Sequence, residues 1–217
     1  MYPFILTFQS IIKAKLISLL LLSVIVAVVL ILSVVFFATY ISADLVSLDD
    51  SWLDQAFTWF AGLIFGVVGW FMLPAFVPLI AGMFQEKVIY KVHKHYYPNY
   101  LNQDDIKFWP DFIHDLKFTL KSLLLNLIIL PLYLIGIGFV VSIILNSYLL
   151  GREFFESAAG YHMQKNKAQL FGNQNKAAVY GGGLVITGMT LTPVLNLFVP
   201  IIATVWMVHV YHSLKKP

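Results

Sequence analysis

Arg152, Glu153 and Glu156 stand together at the end of a stretch, residues 122–151, that holds no Asp, Glu, Lys or Arg. Arg152 is the sole arginine of the chain. On a helix, Arg152 and Glu156 lie four residues apart on one face and Glu153 and Glu156 three apart, so an ion pair is in reach. Two readings of this group stay open. One is a structural Arg–Glu pair that makes a charge tolerable at a membrane edge. The other is the cytoplasmic mouth of an anion path, where the guanidinium attracts the anion and the carboxylates keep it from being trapped.

Lys13 and Lys15 are a second candidate, because they precede the first apolar stretch, where free helix N–H groups already favour an anion. Two residues apart, they cannot share one helical face, and they also serve as topology determinants. A third is Asn196, within the proline-bounded run TPVLNLFVP, where its amide either caps backbone or offers a neutral donor inside a pathway. The histidines give no expected metal site. His93 and His95 are too close to share a face, and His209 with His212 lacks a third ligand. No HExxH, GxSxG, phosphate-binding loop or paired-acid arrangement is present, so neither an enzyme nor a cofactor is expected.

The elements that must hold these residues follow from composition. Of 217 residues, 59% are hydrophobic and 12% charged, against about 45–50% and 25% in soluble domains, which places the chain in a bilayer. Every Lys, Arg, Asp and Glu falls outside four stretches, 16–43, 55–85, 122–151 and 177–214, each long enough to cross about 30 Å of hydrocarbon as a helix. The chain is read as a single membrane domain, 1–217. The first stretch is too long for the core of a cleaved signal peptide and is expected to remain as an anchor. A net charge of +3 spread over several flanks forms no basic stripe, so nucleic acid is not an expected partner.

Charge asymmetry orients the crossings. Lys13 and Lys15 precede the first stretch, whereas Asp44, Asp49, Asp50 and Asp54 follow it, which puts the N-terminus on the cytoplasmic side. The second stretch returns to Lys87, Lys91 and Lys94. Gly62, Gly66 and Gly69 along it either mark a face that packs on another helix or are simply residues common in membrane helices. Ile106, Phe108, Trp109, Phe112, Ile113, Leu116 and Leu120 recur every three to four residues and predict an amphipathic helix at the headgroup level.

The third and fourth stretches have basic residues at both ends. Pro131, Gly136 and Gly138 interrupt one, and Pro193, Asn196 and Pro200 the other. Both are therefore expected to enter the membrane and return as helical hairpins, with arms of about 12–14 residues that span about 18–21 Å and only partly penetrate. The expected fold is an all-α integral membrane protein with two long transmembrane helices, two re-entrant hairpins and an interfacial amphipathic helix. Four continuous crossings are the alternative. Turning backbone must be shielded from lipid or line a wet cavity.

The stretch Asn146-x-x-Leu149-x-Gly151-Arg152-Glu153-Phe154-Phe155-Glu156, the following His162, and Pro193-Val194-Leu195-Asn196-Leu197-x-x-Pro200 resemble the signature of the CysZ sulfate permease family, which shares the etoposide-induced-protein-type membrane domain. The resemblance is strongest from 146 to 204. It implies a multi-pass protein of the bacterial inner membrane, oligomeric and without a nucleotide-binding domain, that brings in sulfate or a related oxyanion for cysteine synthesis. The family carries a glycine-leucine-arginine motif for sulfate near the start of its first helix. Here the region reads QSIIKAKLIS, in which Lys13 and Lys15 keep charge but lack the bidentate fork of arginine. A non-transporting membrane protein that assembles or regulates partners is the alternative function.

Overall fold

The protein is described from a computed structural model, which covers residues 3–45, 51–100 and 108–215. The described residues form helices α1 (Phe4–Lys13), α2 (Ile17–Leu45), α3 (Ser51–Met83), α4 (Gln85–Tyr96), α5 (Phe108–Ile129), α6 (Gly138–Gly160), α7 (Lys165–Gln174), α8 (Lys176–Thr190), the single turn α9 (Pro193–Asn196) and α10 (Val199–Leu214). The architecture is an all-α bundle. Three of its helical stretches, Ile17–Ile41, Ile113–Tyr133 and Gly138–Gly160, are long and apolar enough to cross a membrane.

At the centre stands α10, with every residue from Val199 to Tyr211 buried. It packs against α1, α3, α4, α6 and α8. Helix α1 places Thr7, Ser10 and Ile11 against it at helical spacing, and Phe4 meets Trp206 edge-on with centroids 4.4 Å apart. Helix α4 turns Val88, Ile89, Val92 and His93 inward.

The outside is as apolar as the inside. Ile25, Leu32, Phe36, Trp59, Leu63, Ile128 and Leu134 are all more than half exposed. The chain presents 13742 Å² of surface, where a soluble monomer of its 24.6 kDa would present roughly 10,000 Å². Water does not tolerate such an excess of exposed apolar area, whereas lipid or neighbouring subunits do.

Helices α2 and α3 pair along their length. A Cβ at Gly69 would meet Ile31 and Val35 of α2, and one at Gly62 would touch Thr39, but at Gly66 it would meet nothing. Two of the three glycines thus face a helix, and Gly66 does not. The backbone of α3 remains helical through Pro74 and Pro78 to Met83.

The expected turns are present, with different arms. The first hairpin turns at 130–137, through Pro131 and through Gly136 at φ +81°, a backbone conformation that disfavours other residues. Its arms, α5 and α6, have 22 and 23 residues, not 12–14, and reach roughly 33 Å each. They are longer because the charged flanks continue the helices. The amphipathic stretch expected as a separate helix is, from Phe108 onward, the beginning of α5 itself; Ile106 lies outside the described residues. The second hairpin turns at 191–198 between α8 and α10, with arms of 15 and 16 residues that reach roughly 22–24 Å. These are close to the expected length. A Cβ on Gly183 would overlap the Ser147 carbonyl and the Gly151 backbone, and one on Gly151 would overlap the Val179 carbonyl. The backbones of α6 and α8 therefore touch directly, an approach that only glycine permits.

Candidate functional site

Arg152 lies on the third turn from the end of α6, between α5 and α8. Its Nε donates to Glu156 Oε1 at 2.5 Å, its Nη1 donates to the Tyr148 hydroxyl at 3.3 Å, and its guanidinium sits over the Phe118 ring of α5 at 4.9 Å. The other carboxylate oxygen of Glu156 is 2.8 Å from His114 Nε2, and His114 Nδ1 is 3.0 Å from Asn166 Oδ1. Arg152 and Glu156 side chains are 12% and 8% exposed, so the pair is largely removed from solvent. Its geometry is that of the structural reading. Glu156 is a hub that ties α5, α6 and α7, and the guanidinium is held by a carboxylate, a phenol and a ring.

Glu153 points to a different place. A cavity of about 480 Å³ opens between α5 and α6 and the start of α4, lined by Glu153, Asp115 and Lys165 at one part and by Thr119, Ser122, Asn126, Asn146 and Ser157 elsewhere. Lys165 pairs with Asp115. Three carboxylates and one ammonium line this groove; Asp115 is paired with Lys165 and Glu156 with Arg152, and most of the polar wall consists of neutral hydroxyls and amides. A smaller space of about 20 Å³ lies on the other side of Arg152, beside Gln169, Asn173 and Lys176, and suits a single water.

Lys13 and Lys15 are not brought to Arg152. Both are exposed, at the break between α1 and α2. Lys15 has φ 52°, and its carbonyl accepts from Lys91 Nζ at 3.3 Å and Ser18 Oγ at 3.0 Å. A left-handed lysine costs roughly 1–2 kcal/mol, which the packing of α1 on α10 offsets. Asn196 ends α9 at the tip of the second hairpin, and its N–H donates to the Thr192 carbonyl at 2.8 Å. The six charged or polar candidates thus divide among the lysine break, the Arg152–Glu156 pair with Glu153 in the groove beside it, and the α9 tip.

A histidine cluster lies outside all three, and the spacing along the sequence gave no sign of it. His93 of α4, His162 just after α6 and His212 in the last turns of α10 converge, with His93 Nε2 at 2.6 Å from His162 Nε2 and 2.9 Å from His212 Nε2. His209, one turn earlier in α10, has Nε2 2.7 Å from Ser10 Oγ and Nδ1 2.7 Å from the Tyr97 hydroxyl. Burial pushes His93 below its ordinary pKa, against the effect of its bond to the Ile89 carbonyl. Burial, helped by His93 and Lys215, brings His162 down to about 4. Both rings are neutral at physiological pH. The Tyr97 phenol is raised to about 12 by burial and by Tyr96.

The fold and these sites define a multi-pass helical membrane protein with a polar groove between two apolar helices. Residues 4–200 match the family model described as "Sulfate transporter CysZ/Etoposide-induced protein 2.4", and the chain belongs to that family. No curated protein and no solved structure matches the chain.

Proposed function

We propose that the protein is a sulfate permease of the bacterial inner membrane, channel-like or uniporter-like, that supplies sulfate or a related oxyanion for cysteine synthesis and works as a homo-oligomer. Its membrane topology is read as two long crossings, α2 and α3, beside two helical hairpins, of which the second, with the shorter arms, penetrates the membrane in part. The reading is supported by the family match over residues 4–200. The observation that carries it is the groove lined by Thr119, Ser122, Asn126, Asn146 and Ser157 inside an otherwise apolar pair of helices. Neutral donors replace part of an oxyanion's hydration while leaving it free to depart. Arg152 and Glu156 then act as positioning residues, which hold the wall without carrying the ion.

One observation favours the second reading, a membrane protein that assembles or regulates partners. Arg152 is bonded within the chain, and acids outnumber bases around the groove. Uptake of labelled sulfate into proteoliposomes separates the two. Saturable uptake that falls in Asn146→Leu and Asn126→Leu protein, with helicity and insertion unchanged, supports the permease. Uptake no greater than in empty vesicles, from folded and inserted protein, rules in favour of the second reading.

A further inference from the structure

We propose that His93, His162 and His212 form a binding site for a divalent transition-metal cation, Zn²⁺ foremost. One ring nitrogen from each residue lies within 4.8 Å of the others. His93 is fully buried. Its Nδ1 is 2.8 Å from the Ile89 carbonyl, an acceptor only, so Nδ1 carries the proton and Nε2 presents a lone pair. Both neighbouring Nε2 atoms approach that same lone pair. One in-plane lone pair cannot fully accept two N–H donors. If either neighbour turns its own lone pair inward instead, two lone pairs face each other. A single cation among three inward lone pairs removes the conflict.

The surroundings are those of a built site. The bond from Nδ1–H to a backbone carbonyl is the outer-sphere contact that fixes tautomer and orientation in histidine metal ligands. Each ligand ring also has an aromatic partner on its face. Tyr161 stacks on His93 at 5.1 Å and 24°, Tyr97 on His212 at 3.6 Å and 14°, and Tyr211 on His162 at 5.4 Å and 10°. His209 supports this shell from outside, because Tyr97 is itself held by His209. Zn–N bonds of about 2.0–2.1 Å in a tetrahedral site need nitrogens about 3.3 Å apart, so His162 and His212, now 2.6 and 2.9 Å from His93, each have to draw back from it by less than about 1 Å. Three imidazoles without a carboxylate suit Zn, Cu or Ni and not Mg or Ca. A water or hydroxide would complete the coordination. Lys215 acts electrostatically on His162 and so stands close enough to oppose a bound cation. Bound there, the metal would tie α4 and the end of α6 to the last turns of α10.

The test uses the full chain in detergent, purified without a polyhistidine tag, stripped with a chelator and titrated with Zn²⁺ alone. The expected result is a single zinc per chain, with affinity lowered about 100-fold or more in His93→Ala and His212→Ala, a larger loss than outer-sphere changes cause. His95→Ala, on the exposed face of α4, should bind as the unaltered protein does. Co²⁺ should give the intense visible bands of four-coordination in the unaltered chain, a readout that does not depend on whether a variant folds. No zinc binding by the unaltered chain, binding by His93→Ala as strong as by the unaltered chain, or a weak six-coordinate Co²⁺ spectrum would overturn the proposal and leave a hydrogen-bonded histidine cluster.

Discussion

The two hairpins turn by similar means, a proline-bounded break in an apolar stretch, yet they end in opposite surroundings. The α5 arm of the first has none of its most apolar window buried, and Leu123, Leu127 and Ile128 are exposed along it. The α10 arm of the second is buried from Val199 to Tyr211. Composition does not separate them, since lipid and protein interior are equally apolar. Close approach and polar bonding do. The second hairpin is drawn into the bundle by the glycine contact between α6 and α8 and by the histidines of α10. The α5 arm of the first hairpin is joined at its charged end, through His114 to Glu156 and Asp115 to Lys165, and a groove stays open along the rest.

This contrast can be broken most strongly at Gly183. Gly183→Val should destabilise the protein by about 4 kcal/mol or prevent folding, because its Cβ would strike backbone that cannot move aside; thermal unfolding in detergent and the yield of monodisperse protein measure it. Next comes Glu156→Gln, which strips the carboxylate from a largely buried guanidinium. An expected loss of about 3 kcal/mol should be mostly restored when Arg152 is changed to Met as well, as a double-mutant cycle would read. A cycle with no interaction energy would mean that the first hairpin is not joined there.

Smaller effects sharpen the same distinction. Gly136→Ala, at a positive φ in the exposed first turn, should cost about 1 kcal/mol, and amide exchange should quicken around residues 134–138 while α8 and α10 keep their protection. Gly188→Ala serves as the internal control for Gly183. Both lie in α8, but nothing stands within 4 Å of a Cβ at 188, so the change should be neutral or stabilise by up to about 1 kcal/mol through helix propensity. A loss as large as that of Gly183→Val would mean that α8 is sensitive to any side chain, and the glycine contact would lose its special standing.

Much of this was legible in the sequence where a local rule suffices. Charge-free stretches mark the apolar helices, Pro131 with Gly136 marks one turn, Pro193 with Pro200 marks the other, and a spacing of four joins Arg152 to Glu156. Rules of this kind fail where the partner is remote in sequence. His93, His162 and His212 come from three elements, and no periodicity links them. The spacing of Gly62, Gly66 and Gly69 did not reveal which of them α2 touches: a Cβ at Gly62 or Gly69 would meet α2, and one at Gly66 would meet nothing within 4 Å. The arms of the first hairpin were judged too short because charge was taken to end a helix. In the folded chain His114 and Asp115 of α5 and Arg152 and Glu156 of α6 have partners, and the helices run on through them.

Helix α1 has a consequence for how the chain is assembled. Its inward face, Thr7, Ser10 and Ile11, rests on α10, and Ser10 reaches His209 across 199 positions of sequence. During synthesis that face has no seat until α10 has left the ribosome. The opposite face exposes Ile5, Phe8 and Ile12, so the segment would wait on the bilayer surface while the rest inserts, and its docking would close the structure. Chains halted before residue 199 should then show α1 unprotected in amide exchange even with α2 and α3 inserted. Protection of α1 in such chains would mean that it docks without α10. Loss of protection would make the emergence of α10 the checkpoint for α1, a seal applied late by a helix made early.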